Sequence, residues 1–325
     1  MVMSYRAAKI LLVAVFFDFF TAIHAGARTV DQISRRTKTA PRAARILLDS
    51  LVSLGFLKKA RHKYANAKVS ENTLVKGGRD YIGNYIKYQE LIWDAWSDLR
   101  SVMKTGRTAF PLEDLLSKRK DFGREYILGM QNIARKPARQ VAALFPEAGA
   151  ERFLDVGGGP GTYSIEFLKR IRTLKASLLD LPSTVRIARE ATSEEPESRR
   201  LSFIEGNYKK TGFGSELYDI VLMSHITHDE DERTNRALFR KARRALRPGG
   251  KLVVHDFTVN EEKTGPVFGA LFSVHMLVYT RGGQVYSFND YRTWLETAGL
   301  SGIRKFDIAK GSPNATTAII ATRAS

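Results

Sequence analysis

The sequence predicts a mixed α/β protein: a doubly wound, mostly parallel sheet of seven strands, preceded by a mainly helical domain. Three observations carry this. From Arg152 onward, apolar runs at 152–156, 176–180, 201–205, 218–223, 251–256, 302–308 and 315–321 alternate with longer segments of helical periodicity. That alternation describes parallel strands joined by crossover helices and covered on both faces. Before residue 110 the apolar spacing is helical, and extended signals are confined to one short pair of runs. Finally, the first strand of the second half breaks into a glycine-rich loop, Phe153–Gly161 (FLDVGGGPG), followed by a helix-like run from Thr162 to Ile171.

The chain opens with an apolar stretch, Ile10–Phe20, behind Arg6 and Lys9, in a pattern that mimics a secretion signal. Asp18 interrupts it and it is too short to span a bilayer, so the expectation is a cytoplasmic protein without stable membrane insertion. Residues 4–24 read as one buried helix. Thr29 then caps a short helix, with Gln32 in the capping-box place. Pro41 opens a longer helix in which Ala44, Leu47, Leu48, Leu51 and Leu54 recur at helical spacing until Gly55. Phe56–Lys59 and Lys63–Asn66 form two extended runs around a basic turn. Three helices and a two-stranded wing make a winged helix.

Residues 81–104 are aromatic-rich with near-helical period, so Tyr85, Tyr88, Ile92 and Trp96 read as subunit interface or core. The weakly patterned stretch Thr105–Lys120, with Gly106 and Pro111, places the domain boundary, giving domains 1–110 and 111–325. Asp121–Leu144 reads as a long helix with Phe122, Tyr126, Met130 and Ile133 on one face.

Composition bounds the chemistry. The 325 residues hold no cysteine, which excludes disulfides, thiolate zinc sites and cysteine nucleophiles. The net charge is +18, and residues 1–110 hold 19 Lys and Arg against 8 Asp and Glu. A winged helix with this charge has two readings. It is a DNA reader using Arg42, Arg45, Lys58, Lys59, Arg61 and Lys63, or a module that pairs with its own copy.

The loop Asp155-x-Gly157-x-Gly159-x-Gly161 needs glycine where the backbone takes positive φ or a ligand approaches with no Cβ between. It fits the dinucleotide fingerprint poorly, because Thr162 stands where the third glycine belongs. With its leading acid, it resembles the first motif of class I S-adenosylmethionine-dependent methyltransferases, whose sheet is Rossmann-like. The phrase from Arg42 to Lys59 (RAARILLDSLVSLGFLKK) is similar to the dimerisation domain of bacterial and plant O-methyltransferases of the caffeate/hydroxyneurosporene type. That resemblance implies a homodimer whose wing serves dimerisation rather than DNA. It implies S-adenosylmethionine as cofactor and an aromatic or polyketide-like small molecule as acceptor, methylated on a hydroxyl.

Residue by residue, the resemblance puts Asp155, Gly157, Gly159 and Gly161 around the cofactor. Asp180 and Leu181, in the strand-end phrase S-L-L-D-L-P, match the second motif; a carboxylate there accepts from both hydroxyls of a ribose. Asn207, where the family usually has Asp, faces the adenine amino group, with Tyr208 beside it, and Ser224 completes the set. In Val221–Glu230 two histidines stand three apart, and a positioned imidazole suits the removal of a phenolic proton. His228 stands at the same interval before Ala245-Leu246 as the family's base before its own Ala-Leu pair, so the resemblance implies His228 as general base and leaves His225 lining the pocket. Asp256 aligns with the acid that steadies the catalytic imidazole. Tyr126, Met130, His275 and Met276 are expected acceptor contacts, the last two on the apolar run Phe268–Tyr279.

One departure stands out. The family often carries a second acid shortly after a Gly-Gly pair, and Gly282-Gly283 is followed there by Val285. This keeps open a relative that methylates carbon or nitrogen, or uses the cofactor as a scaffold, beside a cofactor-sensing DNA-binding regulator. No third ligand at suitable spacing joins the two histidines, and no magnesium-type carboxylate cluster is apparent, so no metal is expected.

Overall fold

The structure is a computed structural model and describes residues 2–78, 80–146, 149–312 and 314–324. The chain divides into two compact units, Met1–Trp93 with Leu128–Ile133, and Asp94–Ile127 with Ala134–Ser325.

In the first unit, α1 (Ser4–Phe16) and α2 (Phe19–His24) replace the single helix expected over 4–24. The break is Asp18, in the left-handed region at φ 56°, with its carboxylate accepting from Lys87 Nζ at 2.8 Å. Breaking there turns Phe19, Phe20 and Ile23 into the core while Phe16 and Phe17 stay exposed. Then come α3 (Val30–Thr37), α4 (Pro41–Ser53), the hairpin β1 (Leu57–Ala60) and β2 (Lys63–Asn66), α5 (Lys68–Thr73) and α6 (Gly83–Leu91). The capping box of Thr29 and Gln32 is present, and α4 opens on its proline. One face of α4, Ala44, Leu48 and Leu51, joins Ile33, Leu57 and Tyr64 in a single apolar core. The aromatic stretch is three short helices rather than one: α6, α7 (Trp93–Ser97) and α8 (Leu99–Thr105).

After α9 (Leu112–Lys118) comes the long α10 (Lys120–Ala142). Its segment Leu128–Ile133 belongs to the first unit because Gly129 lies against the backbone of Tyr85, where a Cβ would meet Cα at 3.0 Å. The second unit then alternates as expected: β3 (Arg152–Val156), α11 (Thr162–Arg170), β4 (Lys175–Asp180), α12 (Pro182–Thr192), β5 (Leu201–Glu205), β6 (Tyr218–Ser224), α13 (Glu232–Ala245) and β7 (Leu246–Asp256). The short pair β8 (Thr258–Val259) and β9 (Tyr286–Ser287) brackets α14 (Val267–Tyr279). Helix α15 (Phe288–Thr297), capped by Ser287 and Asp290, leads into β10 (Leu300–Ile308) and β11 (Thr316–Arg323).

The seven-stranded order is β10-β11-β7-β6-β3-β4-β5. The five strands from β7 to β5 are parallel, and β10 and β11 extend the sheet antiparallel. One apolar layer on the sheet includes Leu154, Val156, Val221, Leu252 and Trp294, and a second includes Phe153, Leu178, Ile220, Leu222 and Val253. Because side chains alternate along a strand, residues one apart feed opposite layers. The order reverses at β3, between β4 and β6, and the carboxyl ends of the five parallel strands carry every catalytic and cofactor residue singled out above. Open α/β sheets bind ligands at such a point.

Candidate active site

The glycine loop leaves β3 with Gly157, Gly159 and Gly161 all at positive φ, 66°, 53° and 80°. They do different work. A Cβ on Gly157 would strike Ile226 at 2.6 Å, and one on Gly161 would meet Thr192 at 2.9 Å, so these glycines permit close packing. A Cβ on Gly159 would meet nothing within 4 Å. Its backbone therefore borders open space, the cradle a nucleoside or amino-acid group needs.

Asp180, at the end of β4, holds the loop from beneath. Its carboxylate accepts from Gly159 N–H at 2.8 Å and from Leu181 N–H at 2.7 Å. Two backbone donors leave a carboxylate with lone pairs to spare, so Asp180 keeps capacity for ribose hydroxyls. Burial nevertheless raises its pKa, against those hydrogen bonds. Asp155 is wholly buried and accepts from Ser164 Oγ at 2.7 Å, tying the strand end to α11. Burial pushes its carboxyl up to about 7. Asn207 uses Oδ1 to accept from Lys209 N–H at 2.9 Å, and Tyr208 donates to Glu230 at 2.7 Å. Lys241 Nζ donates to the carbonyls of Tyr208, Lys209 and Thr211, which fixes this loop beyond β5. The residues present thus fit an adenosine-type cofactor: an open glycine edge, a strand-end carboxylate and a pinned polar loop.

Beside the loop lies a buried acid–imidazole pair. His228 sits in the 3-10 turn Thr227–Asp229 after β6, and its Nδ1 lies 2.5 Å from Asp256 Oδ1 at the end of β7. A carboxylate only accepts, so Nδ1 carries hydrogen and Nε2 keeps the lone pair of the neutral ring. Asp256 is held in turn by Thr227 Oγ at 2.5 Å and by the N–H groups of His228 and Phe257 at 3.2 and 2.8 Å. Thr227 also meets Tyr291 at 2.8 Å. Burial alone would lower the His228 pKa, but the charges of Asp256 and Asp229 outweigh it and lift it to about 9. Burial would raise Asp256; the His228 charge and the hydrogen bonds from both histidines hold it well below the usual carboxylate range.

His225 adopts a left-handed φ of 55°, its N–H bonded to the His255 carbonyl at 2.8 Å. This brings its Nδ1 to 3.6 Å from Asp256 Oδ1. His225, His228 and Asp256 thus place three ligand-type atoms within 4.8 Å of one another, a grouping that local spacing did not offer. Two ligands bonded to zinc at about 2.0–2.1 Å stand over 3 Å apart. The direct 2.5 Å contact therefore makes the folded set a proton-holding one. Ser224 meets His255 Nδ1 at 3.0 Å, as does Tyr163, while Thr316 meets Nε2 at 2.7 Å. Burial, then the nearby His225, keeps His255 neutral.

An aromatic wall stands over the pair. His228 lies 5.0 Å from Phe272 and 6.2 Å from Phe257, with Phe268 against both phenylalanines. Val285 is 1% exposed within this cluster, so the place of the family's second acid is apolar. His275 is stacked on Trp96, whose indole N–H donates to its Nδ1 at 3.1 Å. An indole only donates, which puts the imidazole proton on Nε2. Burial, with His228 nearby, lowers the His275 pKa to about 4 and keeps it neutral. Met276 is buried, Tyr126 is half-buried against Phe122, and Met130 falls in the segment assigned to the first unit.

Sequence reasoning missed Asp229, Thr227, Tyr291 and Phe257, while Phe272 lies in the apolar run Phe268–Tyr279 already singled out. Asp229 lies 3.6 Å from His228 Nε2, and burial raises its carboxyl to about 7. Its adjacency to His228 was the one signal available.

Comparison with known proteins fixes the family. A model of the O-methyltransferase domain matches residues 96–301, and one of the O-methyltransferase dimerisation domain matches residues 1–76. The chain is 30% identical over 308 residues to 3-hydroxy-5-methyl-1-naphthoate 3-O-methyltransferase of Streptomyces sahachiroi, covering 94% of this chain and 89% of the relative. It is 24% identical over 314 residues to the tetracenomycin polyketide synthesis 8-O-methyltransferase of Streptomyces glaucescens, covering 93% and 90%. An O-methyltransferase family protein of Burkholderia thailandensis superposes with TM-score 0.87 at 27% identity, covering 99% of this chain and 96% of that one. Human N-acetylserotonin methyltransferase, solved with S-adenosylmethionine, shares the fold with TM-score 0.87 at 21% identity, covering 100% and 96%. Among the described residues no helix is long and apolar enough to cross a membrane. The cradle at the sheet's switch point and the two matched models agree: the chain belongs to the S-adenosylmethionine-dependent O-methyltransferase family.

Proposed function

We propose that this protein, as a homodimer, methylates a hydroxyl of an aromatic or polyketide-derived small molecule, with His228 as general base. The observation that carries this is the buried His228–Asp256 contact of 2.5 Å beneath Phe257 and Phe272. Relatives named for naphthoate and tetracenomycin substrates support an aromatic acceptor.

The sulfonium supplies an electrophilic methyl when bound, and Gly157, Gly159, Asp180, Asn207 and Tyr208 would hold it. The chain's own work is to make the acceptor nucleophilic. Asp256 fixes the tautomer, so Nε2 faces the acceptor with its lone pair and takes the hydroxyl proton. Asp256 then stabilises the imidazolium. The aromatic wall excludes water and lines the acceptor along a plane, and most of the rate gain comes from that alignment. His225, Tyr126, His275 and Met276 are the proposed polar and apolar contacts. With Val285 apolar, Asp256 holds Nδ1, and the acid near the far side of the ring is Asp229, 3.6 Å from Nε2.

The test is methyl transfer to a hydroxynaphthoate, read as a methyl-sized mass gain, in wild type and His228→Ala. Turnover should fall about 100-fold, the usual scale for losing a base. Calorimetric affinity for S-adenosylhomocysteine should stay unchanged. Equal turnover in the two proteins would remove the base assignment. A product methylated on carbon or nitrogen would favour the reading that Val285 keeps open.

A further inference from the structure

We propose, resting on the cofactor reading above, that Asn207 presents a hydrogen-bond donor where the purine base lies, so that a 6-oxopurine nucleoside binds this site as well as an adenosine does. Strands β3, β4 and β5 are neighbours in the sheet. At their carboxyl ends stand, in that order, the open edge of Gly159, the Asp180 carboxylate and Asn207. Adjacent strands lie about 4.8 Å apart, so the three ends form a row of about 10 Å, enough for a ribose and base laid outward from the glycine edge.

The family's acid at this place meets the adenine amino group, a role that needs an acceptor facing the ligand. Asn207 holds its acceptor inward. Its Oδ1 accepts from the Lys209 N–H at 2.9 Å, closing a turn of the side chain on its own loop. A backbone N–H only donates, so the atom facing it is the amide oxygen, and the other branch of the amide is the NH2 group. That nitrogen makes no hydrogen bond among the described residues, and it is solvent-accessible on a half-buried residue. An aspartate making the same turn would present its second oxygen instead. The change from carboxylate to amide therefore turns an acceptor into a donor at one atom.

Neighbouring acceptors are occupied. The Asn207 carbonyl accepts from the N–H groups of Lys210 and Thr211 at 2.8 and 2.7 Å, which uses both its lone pairs. Lys241 Nζ takes the carbonyls of Tyr208, Lys209 and Thr211 at 2.9, 2.8 and 3.1 Å. Tyr208 turns its hydroxyl to Glu230, and Lys209 Nζ binds both Glu230 and Glu113, so these two acids are committed to the loop's own donors. A donor rim is met by N1 of adenine or by O6 of hypoxanthine, and it does not separate the two bases. A carboxylate in the same place is met by the adenine amino group and repels O6.

Titration calorimetry of the full chain compares S-adenosylhomocysteine with S-inosylhomocysteine, whose purine carries a 6-oxo in place of the 6-amino group. Wild type should bind the two within about threefold of each other. Asn207→Asp should shift the ratio by about tenfold or more toward the adenosyl form. The ratio within each protein is the readout, so a general loss from a new charge beside Asp180 cancels. The wild-type ratio is decisive without any variant. A wild type that prefers the adenosyl form by about tenfold or more, or an Asn207→Asp protein that keeps the wild-type ratio, overturns the proposal and leaves the cofactor reading standing. A folded wild type that binds neither ligand overturns both.

Discussion

A base seated on a carboxylate is also a cation at neutral pH, and His228 shows the conflict in one residue. Asp256 orients the ring, and its charge, with that of Asp229, lifts the imidazole to about 9 against the opposing effect of burial. Below that value most of the free enzyme carries the proton that Nε2 must be without. The ordinary histidine value is 6.5, so the shift is upward, and the neutral, active form grows as pH rises. The rate kcat/KM reports the free enzyme. It should therefore climb about tenfold per pH unit from pH 7 and level off near pH 9. In Asp256→Asn the larger of the two charges that raise the pKa is gone, and the limb should move to lower pH while the plateau falls about 100-fold. An unmoved limb would mean that the acceptor's own ionisation, not His228, sets the profile. His225 and His275 share the environment, but His275 is already neutral and adds no proton in this range.

At the scale of elements, the loop between β3 and α11 has one glycine that differs from its neighbours. Gly159 borders open space, whereas Gly157 and Gly161 are hemmed by Ile226 and Thr192. Gly159→Ala should fold, losing on the order of 1–2 kcal/mol for a Cβ in the left-handed region. Its affinity for S-adenosylhomocysteine should drop by tenfold or more, as titration calorimetry would show. Unchanged affinity would place the cofactor away from this edge. At the opposite extreme Thr29→Ala removes only a helix cap, and should cost about 1 kcal/mol of stability with binding untouched. Both features were legible in the sequence because they are local. Glycine spacing, capping pairs and strand–helix alternation are written within a dozen residues. What was not legible depends on distance or on a choice between near-equal states. Asp18 takes a left-handed turn because the core of the first unit wants Phe19 and Phe20, and no local signal marks that. Asp256 and His228 are 28 residues apart and meet only because β6 and β7 are parallel neighbours, so the pairing came from family resemblance. The wall of Phe257 and Phe272 arises from packing of α14 over the end of β7, and a run of apolar residues looks the same whether it lines a pocket or fills a core.

For the molecule as a whole, the first unit leaves apolar surface that one chain does not use. Val2, Met3, Tyr5, Phe16 and Phe17 are all exposed, the last two as an edge-to-face ring pair at 5.4 Å. Exposed aromatic side chains set side by side, as Phe16 and Phe17 are, suit a contact surface. Residues 1–76 match the dimerisation domain, so the patch and the match point to the same end of the chain. The break at Asp18 explains how this surface arises: one helix ends, its last two phenylalanines stay outside, and the next helix carries its own phenylalanines inward. Substituting Phe16→Asp/Phe17→Asp places two charges on the patch without entering the core. Sedimentation velocity at about 10 μM should show wild type as a dimer and the double variant as a monomer, with far-UV circular dichroism unchanged. A double variant that remains dimeric would show that other residues of the first unit form the contact.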